Sequence, residues 1–342
     1  MKKRILSIIQ YLFFLLRGLV LLWLVFRKID VKEVATEIRD ARYSWLLFSI
    51  ILGIFSHIAR AMRWNILIRS LGHKTDTQTT FYAVMVGYLA NMAFPRLGEV
   101  TRCGVLAKKK GIPFNALFGT VISERVFDAV VLLFIIIAVI FLQLGLLSNF
   151  VDKYIVSYFS GMANQDNLLL AIIVIALVVV LPFLLFRIFF SRIRNLHIYN
   201  KVVDFLKGLL DGVKTIMHMK HKWSFLGLTL VIWTLYTLMT YTAFFALEAT
   251  SALDFIDAIT VMSLGSLGMV APVPGGIGAY QFVVKAILTE IYLVPSEPAV
   301  SYSIILWTAQ SFMIIILGAA SYYILVFKKS KKSYDNAASY TQ

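Results

Sequence analysis

Residues 266–281 read Ser266-Leu267-Gly268-Met269-Val270-Ala271-Pro272-Val273-Pro274-Gly275-Gly276-Ile277-Gly278-Ala279-Tyr280-Gln281. Apolar helical sequence flanks this stretch on both sides, yet no regular helix passes through it. Pro272 and Pro274 each remove a backbone donor and clash with the preceding turn, while Gly275, Gly276 and Gly278 admit backbone angles that other residues avoid. In lipid, such a break is tolerated only where protein buries it or a watery cavity faces it, because unpaired amides find no solvent there. The fold is therefore expected to be built around a buried interruption.

Composition sets the class. Of 342 residues, 60% are hydrophobic and 15% charged. Several runs reach the roughly 20 apolar residues needed to cross a bilayer core about 30 Å thick. The start, Lys2-Lys3-Arg4 followed by the apolar run 5–26, resembles a secretory leader. The run is too long for a leader core and no small-residue cleavage site follows, so it reads as a retained first span. The single cysteine, Cys103, excludes an intrachain disulfide and a cysteine metal cluster.

In a soluble chain a net charge of +15 would point to nucleic acid. Here the bases follow membrane topology instead, and no nucleic-acid partner is expected. Full spans are expected at 5–26, 45–68, 117–144, 168–190, 223–246 and 299–327. Interrupted hairpins are expected at 79–107, broken at Pro95, and at 255–291, broken at Pro272 and Pro274. With both termini inside, the segments 63–74, 108–110, 187–222 and 328–332 fall in the cytoplasm, which satisfies the positive-inside rule. The outer segments 145–167, 248–257 and 290–298 are acidic or nearly neutral. Segment 27–42 is expected to be an outer loop and dilutes the pattern, since it mixes five bases with four acids. The hairpin legs either turn back or cross completely, giving ten crossings, and the charge count does not separate the two.

The expected fold class is thus an all-α polytopic membrane protein, with six full spans plus two broken re-entrant hairpins arranged as an inverted repeat. Each half, about 1–147 and 166–327 of a single domain 1–327, holds two spans, a hairpin and one further span. Three crossings per half place the second half in the opposite orientation, and breaks at matching positions of such halves point to a transporter's binding region. Residues 197–219 space Ile198, Val202, Phe205, Leu209, Val213 and Ile216 at helical steps, an amphipathic helix that either lies in the headgroup plane or packs as a connector. His218 and His221 lie near its end without acidic or cysteine company, so no metal site is expected. A basic then polar tail, 328–342, follows.

Charge at membrane depth marks the candidate site. The first hairpin carries Asn91, Arg96, Glu99 and Arg102 at or near its tip, and the span after it carries Glu124, Arg125 and Asp128. A charge in this position costs roughly 2.5–3.5 kcal/mol on insertion scales, so such residues pair or line a cavity. Their number favours a cavity over a purely structural network. Arg17 sits in the first span. Arg60 and Arg63 stand at the inner end of the second and are expected to snorkel to the interface.

Arg60-x-x-Arg63-Trp64, Asn91 with Pro95-Arg96-x-Gly98-Glu99-x-x-Arg102, Glu124-Arg125-x-x-Asp128 and Pro274-Gly275-Gly276-Ile277-Gly278 occur in this order. The ordered set resembles the lysylphosphatidylglycerol synthase transmembrane-region family of flippase-like proteins, over about residues 5–327. That resemblance implies translocation of a lipid headgroup across a bacterial or archaeal inner membrane. In bifunctional relatives a cytosolic aminoacyl-transferase domain follows and adds lysine to phosphatidylglycerol. This sequence leaves no room for one after 328–332, so a separate lipid-modifying enzyme is the implied partner beside membrane lipids. Gln281 stands where the resemblance leads one to expect glutamate, and the last span near Trp307 lacks an expected arginine. Both departures bring a cationic lipid substrate into question.

The expected mechanism is alternating access. Arg96 and Arg102 would hold phosphate, Glu99, Glu124 and Asp128 would balance charge or bind an amine or proton, and the 274–278 turn would offer backbone amides to the same anion. The turn's other reading is close helix packing. Neither enzymatic activity nor a cofactor is expected. Two other classes remain: a membrane-embedded transferase on a lipid-linked substrate, with Glu124 or Asp128 as base, and a small-solute or ion transporter.

Overall fold

A computed structural model describes residues 15–143 and 219–338, and among these every regular element is helical. The expected span 168–190 and most of the amphipathic helix 197–219 lie outside the described residues. Contacts divide the chain into two units, residues 1–125 with 218–342, and residues 126–217. All packing described below lies within the first unit.

Helix α1 (Leu15–Phe26) is followed by α2 (Val31–Asp40), α3 (Tyr43–Ser70), α4 (Thr77–Ala93), α5 (Leu97–Lys110) and α6 (Phe114–Leu142). After the undescribed segment come α7 (Lys222–Phe244), α8 (Phe255–Val270), α9 (Ala279–Glu290) and α10 (Ser296–Ala338). Among the described residues, α3, α6, α7 and the 296–325 portion of α10 are long and apolar enough to cross a membrane. Their outward faces agree: Phe55 on α3, Leu230 on α7 and Phe312 on α10 are more than half exposed, as lipid-facing side chains must be.

The segment 27–42, expected as a loop, contains α2. Asp30 caps it by accepting the Lys32 N–H at 2.8 Å, and Val34 packs with Val25 and Val300. The alternating charges of this segment hid one apolar face that α1 and α10 cover.

The two interruptions produce two helical hairpins. The legs of the first, α4 and α5, have 17 and 14 residues, and the legs of the second, α8 and α9, have 16 and 12. All four fall short of the roughly 20 residues a full crossing takes. Both hairpins start from a side-chain cap, which supplies an acceptor to the orphan amides of a first turn. Asp76 accepts the Thr79 N–H, and Asp254 accepts the amides of Ile256 and Asp257.

The first hairpin closes on glycine. A Cβ at Gly98 would lie 2.2 Å from the Gly87 carbonyl oxygen and one at Gly87 would lie 2.8 Å from that of Gly98, so α4 and α5 touch backbone to backbone. Asn91 fixes the register by accepting the Gly98 N–H at 2.6 Å. The second hairpin packs against α10 and α7 in an apolar cluster that includes Ala258, Val261, Leu288, Tyr302 and Phe244. There the Tyr302 hydroxyl donates to the Thr240 carbonyl at 2.9 Å.

Beyond the exposed Pro272, the break at 273–278 is buried or half-buried, as lipid requires. Trp307 Nε1 donates to the Gly275 carbonyl at 2.8 Å, and Gly275 abuts Met92 near the end of α4. Gly278, at φ 79°, packs on the Gly18 carbonyl of α1, where a Cβ would come within 2.2 Å. The two breaks therefore meet through Met92 and Gly275, while α1 closes the far side.

Substituting Gly98→Ala should cost on the order of 1–3 kcal/mol through overpacking. Gly104→Ala, on the same helix with nothing within 4 Å of the added carbon, should be neutral or slightly stabilising. Thermal unfolding of the two variants in detergent checks this pair of outcomes.

Candidate functional site

Three guanidiniums converge on one carboxylate. Glu124 on α6 accepts from Arg60 Nη1 at 3.2 Å and Arg63 Nη2 at 3.0 Å through Oε1, and from Arg102 Nη2 at 3.2 Å through Oε2. Arg60 and Arg63 share one face of α3 because they are three residues apart, and Arg102 comes from α5. The Arg63 and Glu124 side chains are fully buried and those of Arg60 and Arg102 nearly so.

The expectation that Arg60 and Arg63 snorkel to the interface is corrected here. Both point into the bundle, because Glu124 offers compensation at depth that the headgroup region would otherwise have supplied. Position in the span suggested the interface; the partner on another helix was invisible in the sequence.

Aromatic rings line this cluster. The Arg102 guanidinium lies 4.7 Å from the Trp64 ring centroid and that of Arg63 lies 5.2 Å from Phe225. Arg63 Nη1 also donates to Thr229 Oγ1 on α7 at 3.1 Å, and Trp64 Nε1 donates to Thr120 Oγ1 at 2.9 Å. Arg63 therefore bridges α6 and α7 through its two terminal nitrogens, and Trp64 adds a second tie to α6.

A second pair sits beside the first: Arg125 Nε lies 3.4 Å from Glu99 Oε1, with the two side chains partly exposed. Between the pair and the cluster runs a narrow cleft lined by Tyr88, Asn91, Gly98, Glu99, Arg102 and Arg125, with room for about one water molecule. Glu99 Oε2 and Arg102 Nε are buried there without a hydrogen-bond partner. Arg125 Nε is likewise without a hydrogen-bond partner, so the site offers one unmatched acceptor and two unmatched donors to whatever enters it.

The remaining expected residues are distributed differently. Arg96 occupies the hairpin tip in a left-handed conformation, φ 66°, and is exposed. Asp128 stands one turn beyond Glu124 on α6 in the second unit. Arg17 is exposed on α1. Gln281 is buried, and its Oε1 accepts the Gly278 N–H at 2.8 Å. The amides of Gly276 and Ile277 bond to the carbonyls of Val273 and Pro274. The expected anion cradle at 274–278 therefore has no spare amide at positions 276–278, where those three amides brace the turn and the start of α9.

Sequence reading passed over His57, whose buried ring lies 4.8 Å from that of Tyr88, one turn from Arg60. A histidine inside an apolar span was the available signal. Thr229 and Thr120 carried none, since threonine is ordinary in such helices. Among the described residues no group of three or more His, Cys, Asp or Glu is placed to hold a metal ion.

Among known families, residues 7–318 match the one described as the lysylphosphatidylglycerol synthase TM region. The chain belongs to that family. It is 28% identical over 142 residues to UPF0104 membrane protein MJ1595 of Methanocaldococcus jannaschii, an alignment covering 41% of this chain and 40% of that protein. It is also 28% identical over 101 residues to Glycosyltransferase AglD of Haloferax volcanii, covering 29% of this chain and 16% of that protein. The matches span less than half the length of either relative. No solved structure matches the chain.

Removing Glu124 leaves three buried guanidiniums facing one another, so Glu124→Ala should destabilise the fold by about 3–5 kcal/mol. Glu99→Gln disturbs a partly exposed pair and should cost under about 1 kcal/mol. Melting curves and the yield of monodisperse protein in detergent distinguish the two.

Proposed function

We propose that this chain is a lipid transporter that carries a phospholipid or lipid-linked polar headgroup across the cell membrane. The observation that carries the reading is the cleft beside Glu124, where Glu99 Oε2 and Arg102 Nε are buried and unmatched between membrane helices. A charge cluster that only held helices together would have satisfied its own donors and acceptors. Family membership supports a lipid-facing role, and the mixed polarity of the cleft suits a headgroup with both anionic and donor groups.

In this mechanism, six spans and two re-entrant hairpins form an inverted repeat, and the short hairpin legs favour turning back over crossing. Arg102 and Arg125 hold the phosphate with Asn91, because a guanidinium fork matches phosphate oxygens. Glu99 accepts an amine or hydroxyl of the headgroup, and Arg96 at the tip makes first contact. The second hairpin supplies a neutral, close-packed wall through Gly275, Gly276, Gly278 and Gln281. Movement of the hairpins against each other at Met92 and Gly275 opens the cleft, while the acyl chains stay in lipid.

The name of the Haloferax volcanii relative favours a second reading, a transferase acting on a lipid-linked substrate. Glu124 is poorly placed as its base, since both carboxylate oxygens already accept from guanidiniums.

In vesicles reconstituted with the full chain, movement of a fluorescent phospholipid between leaflets should fall by roughly tenfold or more in Arg96→Ala and Glu99→Ala, the scale of a lost charge-assisted hydrogen bond. Unchanged rates in both remove these residues from the site, and a covalently altered lipid in place of translocation favours the transferase. Arg96→Gly separates function from folding. It should raise stability by about 1 kcal/mol by relieving the left-handed backbone, yet transport should drop as in Arg96→Ala.

A further inference from the structure

A second polar site lies at the end of the bundle away from the hairpin tip. The last turns of α3 and α5 and the capped start of α4 meet there around a cleft of about 690 Å³ lined by Arg69, Lys74, Thr75, Asp76 and Lys110. Helix α3 has 28 residues, a length of about 42 Å. That exceeds an apolar core of about 30 Å, so the last turn of α3, with Arg69, emerges at headgroup level.

The floor of the cleft is fixed. Asn65 Oδ1 accepts from Thr80 Oγ1 at 2.6 Å, Asn65 Nδ2 donates to Thr77 Oγ1 at 3.2 Å, and the hydroxyls of Thr75 and Thr80 lie 3.1 Å apart. Asn65, Thr75 and Thr80 are buried, so this network pins the 71–76 loop to both α3 and α4. The His73 N–H closes on the Ile68 carbonyl at 3.3 Å, with Gly72 at φ 82° completing the turn. Lys74 is therefore carried on an ordered loop.

The charge above that floor is unbalanced. Asp76 accepts from Lys110 Nζ at 2.5 Å and from the Thr79 N–H at 2.7 Å. The side chains of Arg69 and Lys74 make no hydrogen bond or ion pair with any described residue. Two cations thus face an open cleft that already contains one satisfied ion pair. Partial burial raises the Asp76 carboxyl, but the bonds from Lys110 and Thr79 outweigh it and hold its pKa down at about 2. With the folded value depressed, the Asp76 charge is complete above the ordinary carboxylate range and is lost only as pH falls toward 2.

We propose that this cleft binds the phosphate of an anionic phospholipid headgroup from the adjacent leaflet, with Arg69 and Lys74 as its ligands and Asp76 restraining Lys110. A lipid reaches it from the membrane plane without leaving its leaflet, and basic pockets at helix ends suit such headgroups. The site is separate from the Glu124 cleft and does not depend on transport.

The test is native mass spectrometry of the full-length protein in detergent, mixed with phosphatidylglycerol or with phosphatidylcholine of the same acyl chains. The wild type should retain phosphatidylglycerol preferentially. Arg69→Gln with Lys74→Gln should weaken that retention about tenfold, the scale of losing charge-assisted contacts, and leave phosphatidylcholine unchanged. Asp76→Asn preserves a good helix cap, frees Lys110 and should strengthen phosphatidylglycerol retention severalfold. Equal retention of the two lipids by the wild type, or equal phosphatidylglycerol retention by wild type and double variant, overturns the proposal. Loss of bound phosphatidylglycerol to excess inorganic phosphate would assign the cleft to a soluble anion and overturn the lipid assignment. Should the double variant fail to fold, as judged by its melting curve, the absence of a gain in Asp76→Asn is decisive against it.

Discussion

One carboxylate surrounded by three guanidiniums, deep among helices that face lipid, is the constraint to which the surrounding structure answers. These four side chains are almost wholly removed from solvent, so uncompensated charge would go unscreened and Glu124, Arg60, Arg63 and Arg102 stand or fall together. Helices α3, α5 and α6 must meet at this point for any of the four to be tolerated. Arg63 extends the demand to α7 through Thr229, and Trp64 ties α3 to α6 again through Thr120. Non-directional apolar packing in lipid gives little preference between arrangements of helices. The directional fork of each guanidinium supplies the preference that burial does not.

The hairpins follow from the same scarcity of solvent. Each turn has to satisfy its own backbone, and the two do so differently. In the first, Asn91 takes the Gly98 amide while Gly87 and Gly98 let the legs touch. In the second, Gln281 takes the Gly278 amide and Trp307 satisfies the Gly275 carbonyl. Gln281 and Trp307 are thus both hydrogen-bonded to the second turn. The polar contents consequently separate, with charge on the first hairpin and close packing on the second.

Much of the architecture was legible before any coordinates. Apolar runs at 45–68, 117–144, 223–246 and 299–327 correspond to α3, α6, α7 and α10, because a bilayer core fixes how many consecutive apolar residues a crossing needs. Pro95 and the Pro272 to Gly278 break located both turns, since a helix cannot continue through them. Helix α2 was not legible, because its buried face amounts to little more than Val34 amid mixed charges. Within the site, the motif residues Arg102, Glu124 and Arg125 could be named from their depth alone. Their partners could not, since Arg60 and Arg63 lie more than sixty residues from Glu124 in the chain.

The sequence by itself determined that this chain crosses a membrane with interrupted helices and carries charge where charge is costly. Those are properties of local composition, and composition is read one segment at a time. Only the tertiary structure decided that Arg60 and Arg63 turn inward, that the amides at 276–278 brace the glycine-rich turn and the start of α9, and that Glu99 Oε2 and Arg102 Nε are left open to the cleft. Each depends on which distant side chain arrives within about 3 Å, the reach of a hydrogen bond. A list of residues does not contain that distance until the helices have packed.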